Sequence, residues 1–134
     1  MKIVFDTNVI LSALITQGLS SRVLDICIDK HVLFISPWIL DEVVDKLHIK
    51  FNIPFAEIER VKSFIKSIFI IVNPKGATPK ICRDNDDNNI LLLADEVSAD
   101  IIITGDKDLL LLKRYHNAHV VLPRQFIEYY YKTE

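Results

Sequence analysis

Short runs of isoleucine and valine recur along this chain of 134 residues, and stretches with the period of a helix separate them. In one such stretch Leu40, Val43 and Leu47 follow the three- and seven-residue spacing of a single helix face. Strands that alternate with helices form a parallel sheet with helices on both faces. We therefore predict an α/β protein with a single domain over residues 1–134. The strand-like runs are residues 2–5, 31–35, 68–72, 100–104 and 118–122.

Several element boundaries can be predicted from proline and capping residues. Ser36 followed by Pro37 is typical of a helix start, and Pro54 and Pro123 predict the beginnings of two more helices. Residues 73–83 contain prolines, a glycine and several cations, which predicts an extended loop.

Four acidic residues follow a strand-like run or begin the helix after it. In a parallel sheet such positions lie along one edge, so the carboxylates can converge on one crevice. Two carboxylates about 4 Å apart repel each other by roughly 1 kcal/mol in water and by more near a protein surface. The cluster must therefore raise a pKa or bind a cation, and oxygen ligands favour hard ions such as Mg²⁺ or Mn²⁺. The four residues are Asp6, Glu42, Asp87 and Asp106.

Three of these acids also have an ordinary structural explanation. Asp6 and Asp106 can cap the helices that follow them. Glu42 is four residues before Lys46, a spacing that allows an exposed salt bridge within a helix.

Asp87 is the most informative of the four acids. It shares the apolar stripe of Ile90 and Leu91, where a carboxylate is costly unless it is paired or bound to metal. Asp84 and Asp86 compete with it, because either can be the helix cap or an additional ligand.

The formal net charge of -2 and the pI of about 6.1 leave no overall basic field for binding nucleic acid. A nucleic-acid partner must be bound locally or through a metal. The cations near the acidic segments are candidates for such local contacts, and the alternative is that they are solvated surface residues. They are Lys46, Lys50, Lys75, Lys80, Arg83 and Lys107.

Other classes of protein are disfavoured. The apolar runs are far shorter than the roughly 20 residues of a membrane helix, and Asp6 interrupts the first run too early for a signal peptide. We predict a cytoplasmic protein without a membrane partner. The 4 histidines and 2 cysteines lack the spacing of a zinc site.

Four segments of the chain carry the acidic residues: VFDTNV at residues 4–9, SPWILDEV at 36–43, RDNDDNNIL at 83–91 and ITGDKDL at 103–109. These segments occur in the order typical of the PIN-domain nucleases, a family that the chain resembles over nearly its whole length. The resemblance looks closest to the small stand-alone toxins of toxin–antitoxin modules.

The resemblance implies a fold and a set of site residues. The fold is a three-layer α/β/α sandwich whose five-stranded, mostly parallel sheet has the order 3-2-1-4-5. Asp108 is an alternative to Asp106 as the last ligand, and Asp84 is a further candidate. The implied metal ligands and catalytic residues are Asp6, Glu42, Asp87 and Asp106, with Asn8 and Thr104 as polar support.

The activity that the resemblance implies is metal-dependent cleavage of single-stranded or loop RNA. One or two Mg²⁺ or Mn²⁺ ions would activate a water molecule for attack on phosphorus. The expected partners are RNA, a cognate antitoxin and a second copy of the chain in a homodimer.

Three other functions fit parts of the pattern. A haloacid-dehalogenase-type phosphatase would use Asp6 and Asp106, but it needs a second aspartate where Asn8 stands. A receiver domain needs an acidic pair at the end of the first strand, and Asp6 is alone there. A PIN-like module that binds RNA or protein without cutting is disfavoured because all four acids are present.

Overall fold

The computed structural model describes residues 1–131, so residues 132–134 of the predicted domain lie outside the described part. The strands are β1 (Lys2–Phe5), β2 (Val32–Ile35), β3 (Ile70–Ile71), β4 (Ile101–Ile103), β5 (Arg114–Tyr115) and β6 (Ala118–Val121). The helices are α1 (Thr7–Ile15), α2 (Leu19–Lys30), α3 (Pro37–Phe51), α4 (Phe55–Ile68), α5 (Asn85–Val97), α6 (Lys107–Leu112) and α7 (Pro123–Phe126), and α7 continues into a π-helical turn (Ile127–Tyr131).

The strands form one sheet in the order β3-β2-β1-β4-β6-β5. All neighbouring pairs are parallel except β5 and β6, which form an antiparallel hairpin at one edge. The predicted α/β class and strand order are confirmed, with β6 as the predicted fifth strand. The additional strand β5 has only two residues, too few to show a sequence period.

The central strands are buried because helices cover both faces of the sheet. Ile3, Val4 and Phe5 of β1 are almost fully buried, and so are all three residues of β4. A strand buried on both faces has a continuous apolar sequence, which explains why β1 and β4 could be predicted from the sequence.

The third strand is shorter than predicted. The helical hydrogen bonding of α4 extends through Ile68, and the amide of Phe69 still donates to the carbonyl of Ile65 at 2.9 Å. Ile70 and Ile71 pair with β2, and the amide of Val72 donates to the carbonyl of Ile35 at 2.9 Å. Ile70 and Ile71 are both exposed, because β3 is an edge strand.

The sheet topology places the ends of two central strands side by side. Phe5 at the end of β1 is paired with Ile103 at the end of β4. The amide of Asp6 extends this pairing by donating to the carbonyl of Ile103 at 2.9 Å. The residues that follow β1 and β4 therefore meet at one edge of the sheet.

No single helix among residues 1–131 is long and apolar enough to cross a membrane, and α1 and α2 reach the necessary length only together, as a pair bent by 101°.

Candidate metal centre

Asp6 lies at the N-cap position of α1, but within the described chain its side chain makes no capping hydrogen bond. Its Oδ2 atom instead accepts a hydrogen bond of 2.7 Å from the Thr104 hydroxyl. Only 7% of the residue is exposed. Burial raises the pKa of Asp6, the Thr104 hydrogen bond opposes that rise, and the charge of Asp106 adds to it. The backbone of Asn8 and Thr7 also lowers this pKa, but the side chain of Asp6 is held by Thr104 rather than by a capping hydrogen bond.

Thr104 connects the two strand ends. Besides donating to Asp6, its buried hydroxyl accepts a hydrogen bond of 2.9 Å from the amide of Asp106. One side chain thus fixes the carboxylate after β1 and the backbone after β4.

Asp106 does cap a helix, as its structural explanation predicts. Its Oδ1 atom accepts hydrogen bonds from the amides of Asp108 at 2.9 Å and Leu109 at 3.2 Å, in the first turn of α6. The cap engages one oxygen and fixes the orientation of the carboxylate. The same carboxyl group lies within hydrogen-bonding reach of Asp87.

Asp87 is buried in the first turn of α5, with 6% of the residue exposed. Its Oδ2 atom is fully enclosed and has no hydrogen-bond partner among the described residues. Burial, followed by the charge of Asp106 and its hydrogen bond, raises the pKa of Asp87 to about 7, and the charges of Asp6 and Asp84 act in the same direction. A buried carboxylate oxygen without a partner is expensive, and a cation would relieve that cost.

One carboxylate oxygen from each of Asp87, Asp106 and Asp108 lies within 4.8 Å of the other two. Three carboxylate oxygens at this spacing can hold one ion. Asp106 and Asp108 therefore both reach Asp87, and their hydrogen-bond partners, rather than their distances, distinguish the two candidates.

Asp108 has a partner that the sequence did not suggest. The Arg83 guanidinium donates from Nε to Oδ2 at 3.1 Å and from Nη2 to Oδ1 at 2.8 Å. This bidentate pair lowers the pKa of Asp108 and engages both of its oxygens. The pairing connects residues 25 positions apart, so no local pattern could have shown it.

The position of Glu42 agrees both with a salt bridge to Lys46 and with a role in the acidic site. Its Oε1 atom lies 3.4 Å from the Lys46 ammonium, which is the salt bridge that the spacing predicts. The same ammonium donates to Oδ1 of Asn8 at 3.4 Å. Glu42 also faces a small cavity of about 70 Å³ that we call the acidic cavity, whose carboxylates are Asp6, Glu42, Asp84, Asp86, Asp87 and Asp106. The structure thus brings the four predicted acids to one cavity.

Asp84 and Asp86 differ in their surroundings. Asp84 caps α5 by accepting a hydrogen bond of 2.9 Å from the amide of Asp86. Burial raises the pKa of Asp86, and the charges of Glu42 and Asp84 raise it further. Asp84 therefore has a structural role that Asp87 lacks.

Asn88 is a site residue that the sequence reasoning missed. It is 1% exposed, and its Oδ1 atom accepts from the amides of Ile81 at 3.2 Å and Cys82 at 2.8 Å. Its Nδ2 atom donates to the carbonyl of Cys82 at 3.0 Å. These bonds attach the end of the 73–83 loop to α5 beside Asp87, immediately before Arg83. An asparagine within a helix gives no sequence signal for such a contact.

A wider cleft of about 560 Å³ adjoins the acidic cavity and shares Asp6, Asn8 and Asp106 with it. Among the predicted RNA-binding cations, Arg83 and Lys107 line this cleft and Lys46 lines the acidic cavity. Lys75 and Lys80 are exposed and lie outside the described linings of both.

The donor set and its burial fit a hard divalent cation. All candidate ligands are carboxylates, which suit Mg²⁺ and Mn²⁺. The enclosed, unpartnered Oδ2 of Asp87 is the specific atom that a cation would satisfy.

Comparison with known proteins identifies related sequences and folds. The family profile described as PIN domain matches residues 2–108. An uncharacterized protein of Methanocaldococcus jannaschii is 36% identical over 146 aligned positions, which cover 98% of this chain and 93% of that protein. The crystal structure of VapBC2 from Rickettsia felis bound to a DNA fragment from its promoter aligns with a TM-score of 0.65 and 17% identity, covering 91% of this chain and 98% of that one. This last likeness shows the shared fold.

Proposed function

The chain belongs to the PIN-domain family, and we propose that it is a metal-dependent ribonuclease that hydrolyses phosphodiester bonds of single-stranded or loop RNA. The observation that carries the proposal is the enclosed Oδ2 atom of Asp87, which has no partner in the described chain although other carboxylates surround it. A site built to hold a cation explains why this charge is retained.

We assign the metal to Asp6, Glu42, Asp87 and Asp106, with Mg²⁺ or Mn²⁺ as the ion. A divalent cation, when bound, lowers the pKa of water and neutralises charge on phosphate oxygens. Thr104 holds Asp6 in place through its 2.7 Å hydrogen bond. The amides of the first turn of α6 hold Asp106.

Asp106 is a better candidate than Asp108 for the fourth ligand. Both Asp108 oxygens accept hydrogen bonds from Arg83, whereas only one oxygen of Asp106 is used in capping. In this assignment Asp108 serves mainly to hold Arg83 beside the cleft.

The substrate backbone would lie in the wider cleft, with its phosphates against Arg83 and Lys107. Attack by water would leave a 5′-phosphate and a 3′-hydroxyl. None of the carboxylates needs to form a covalent intermediate, because their task is to hold the ion.

We also propose that the protein is the toxin of a toxin–antitoxin pair and forms a homodimer. The fold likeness to the VapBC2 complex supports the antitoxin partner; the homodimer is proposed only from the resemblance to small stand-alone toxins. Expression of the wild-type chain should arrest growth of a bacterial host, and expression of Asp6→Asn should not. Equal growth with both chains would count against a toxin.

The activity is tested by incubating metal-stripped protein with labelled single-stranded RNA. Cleavage should require added Mg²⁺ or Mn²⁺, stop with EDTA and disappear in Asp6→Asn. Asp41→Asn is the matched control, because it removes an exposed carboxylate adjacent to Glu42 in α3.

Cleavage that is equally fast in EDTA would contradict the proposed mechanism. RNA binding without cleavage under any metal condition would favour the alternative, a PIN-like module that binds RNA or a partner protein without cutting.

A further inference from the structure

A second pocket, of about 240 Å³, lies between α1 and α3. We call it the α1–α3 pocket. Asn8 and Lys46 line both this pocket and the acidic cavity, so the two spaces are neighbours. The contact between Lys46 Nζ and Asn8 Oδ1, at 3.4 Å, marks their junction.

The pocket extends along both helices, away from this junction. Its lining includes Ile15 and Phe51, the last residues of α1 and α3. Ile15 lies seven residues after Asn8 in α1, which corresponds to about 10 Å along the helix. A group bound in the pocket is therefore close to the carboxylates without reaching them.

The lining combines apolar and cationic groups. Leu11 is buried, while Ile15 and Phe51 are 42% and 46% exposed. Lys46 and Lys50 supply two positive charges. An aromatic ring and aliphatic side chains next to lysines match the two parts of a nucleotide, an apolar base face and an anionic phosphate.

We infer that the α1–α3 pocket is a nucleotide subsite that receives one base of the RNA next to the phosphate at the acidic cavity. This inference rests on the proposed function and names a part of its substrate path. Phe51 stacks on the base, and Lys50 contacts its phosphate. Asn8, whose amide nitrogen can donate to a base edge, lies at the junction.

The size of the pocket agrees with a single base. Sites that enclose drug-sized ligands have roughly 300 to 1,000 Å³, and this pocket falls just below that range. It is also open enough at Ile15 and Phe51 for the rest of a strand to continue outside.

An apolar side chain of a partner protein is the competing occupant. The two lysines and the shared lining with the acidic cavity favour a nucleotide, because an apolar side chain would not need either. The experiment separates these two occupants.

The test is an NMR titration of the full chain, in EDTA, with AMP and separately with ribose 5-phosphate. AMP should shift the backbone amides of Ser12, Thr16, Lys50 and Phe51, which belong to the pocket lining. Ribose 5-phosphate has the anion without the base, so it should shift them much less.

Variants at two exposed phenylalanines sharpen the test. Phe51→Ala should weaken AMP binding at least about five-fold, the lower end of the effect of removing a base–aromatic stack, and Phe51→Tyr should retain it. Phe55→Ala is the matched control, because Phe55 is 71% exposed at the start of α4 and lies outside the described pocket lining.

Three results would overturn the inference: no shifts at these amides with AMP, equal shifts with ribose 5-phosphate, or shifts with N-acetyl-leucinamide in place of AMP. The last result would identify a groove for protein. Since the titration involves neither metal nor cleavage, an inactive protein that binds AMP here would contradict only the ribonuclease proposal. An enzyme that cleaves RNA but does not bind AMP in the α1–α3 pocket would contradict only the proposed nucleotide subsite.

Discussion

Asp84 and Asp87 lie within one turn of each other at the start of α5 but have different surroundings. Asp84 accepts the amide hydrogen bond that caps the helix, and Asp87 has a buried oxygen without a partner in the described chain. We therefore expect opposite effects from replacing them.

Asp84→Ala should lower the free energy of unfolding by about 1 kcal/mol, the usual cost of removing a helix cap, and leave RNA cleavage largely intact. Asp87→Asn should abolish cleavage without lowering the stability of the metal-free protein, because it removes a buried charge. Chemical denaturation and a cleavage assay on both variants check this. The reverse pattern would make Asp84, rather than Asp87, the metal ligand at the start of α5.

The raised pKa of Asp87 also predicts how the free energy of unfolding depends on pH in the absence of metal. Its pKa rises from 3.8 to about 7 in the folded protein, so the folded state binds the proton more tightly than the unfolded state. The resulting stabilisation is complete below about pH 4 and disappears as pH rises toward 7. The decrease is at most about 4 kcal/mol for a shift of this size.

The measurement is the free energy of unfolding in EDTA from about pH 4 to about pH 7.5, the window that spans the two pKa values, as the difference between wild type and Asp87→Asn. Taking this difference cancels the titrating groups that do not interact with Asp87, so what remains is the titration of Asp87 together with its neighbours Asp106, Asp6 and Asp84. Wild type should become less stable relative to the variant across this range, and Mg²⁺ or Mn²⁺ should reduce the decrease. A difference that is independent of pH would mean that Asp87 is ionised throughout.

The elements that carry the site are held together by contacts between distant segments. Asn88 of α5 bonds the backbone of Ile81 and Cys82, and Arg83 directly after them pairs with Asp108 of α6. The 73–83 loop is thereby fixed to two helices of the site.

Asn88→Ala should release this loop end. The amide hydrogens of Ile81 and Cys82 should then exchange with solvent faster, and stability should fall by about 1 to 3 kcal/mol because buried polar groups are left without a partner. Asn89→Ala is the control, since the side-chain amide of Asn89 donates within α5, to the carbonyl of Asn85. Unchanged exchange at Ile81 and Cys82 in Asn88→Ala would show that other contacts hold the loop.

Elements with strong local signals could be predicted from the sequence. The Ser36 hydroxyl accepts from the amide of Ile39 and Pro37 begins α3, as predicted, because capping is a local interaction. The hairpin of β5 and β6 could not be predicted because β5 is too short for a period. The Arg83–Asp108 pair and the Asn88 contacts could not be predicted because they form only after folding brings distant segments together.

At the scale of the whole molecule, the chain is acidic and its cations are unevenly placed. Arg83 and Lys107 line the wider cleft, whereas Lys75 and Lys80 of the loop do not belong to its described lining. From the sequence, Lys75, Lys80 and Arg83 are favoured as the densest group of cations, but density along the chain does not show which side chains face a cleft.

The double variant Arg83→Gln, Lys107→Gln should weaken RNA binding at low salt. It should also reduce the slope of log affinity against log salt by about 0.7 for each phosphate of a single strand that the protein no longer neutralises. The matched double variant Lys75→Gln, Lys80→Gln removes the same charge from outside the cleft and should change the slope less. Fluorescence anisotropy over a salt series measures both, and equal slopes for the two variants would assign the RNA path elsewhere.

The order of a parallel sheet determines which strand ends are neighbours, so the proximity of Asp6 and Asp106 could be expected from the sequence. The sequence could not show which oxygens remain free. Asp106 is both a cap and a neighbour of Asp87, and only the geometry shows that the cap uses one of its two oxygens.

The central claim is that the carboxylates around Asp87 form a divalent metal site. Calorimetric titration of Mn²⁺ into metal-stripped wild type, Asp87→Asn and the exposed control Asp41→Asn tests it most directly. The account predicts saturable binding to wild type and to Asp41→Asn, and affinity at least about ten-fold lower for Asp87→Asn, which corresponds to about 1.4 kcal/mol. Equal Mn²⁺ affinity in Asp87→Asn and wild type, or no binding to wild type, would contradict the account.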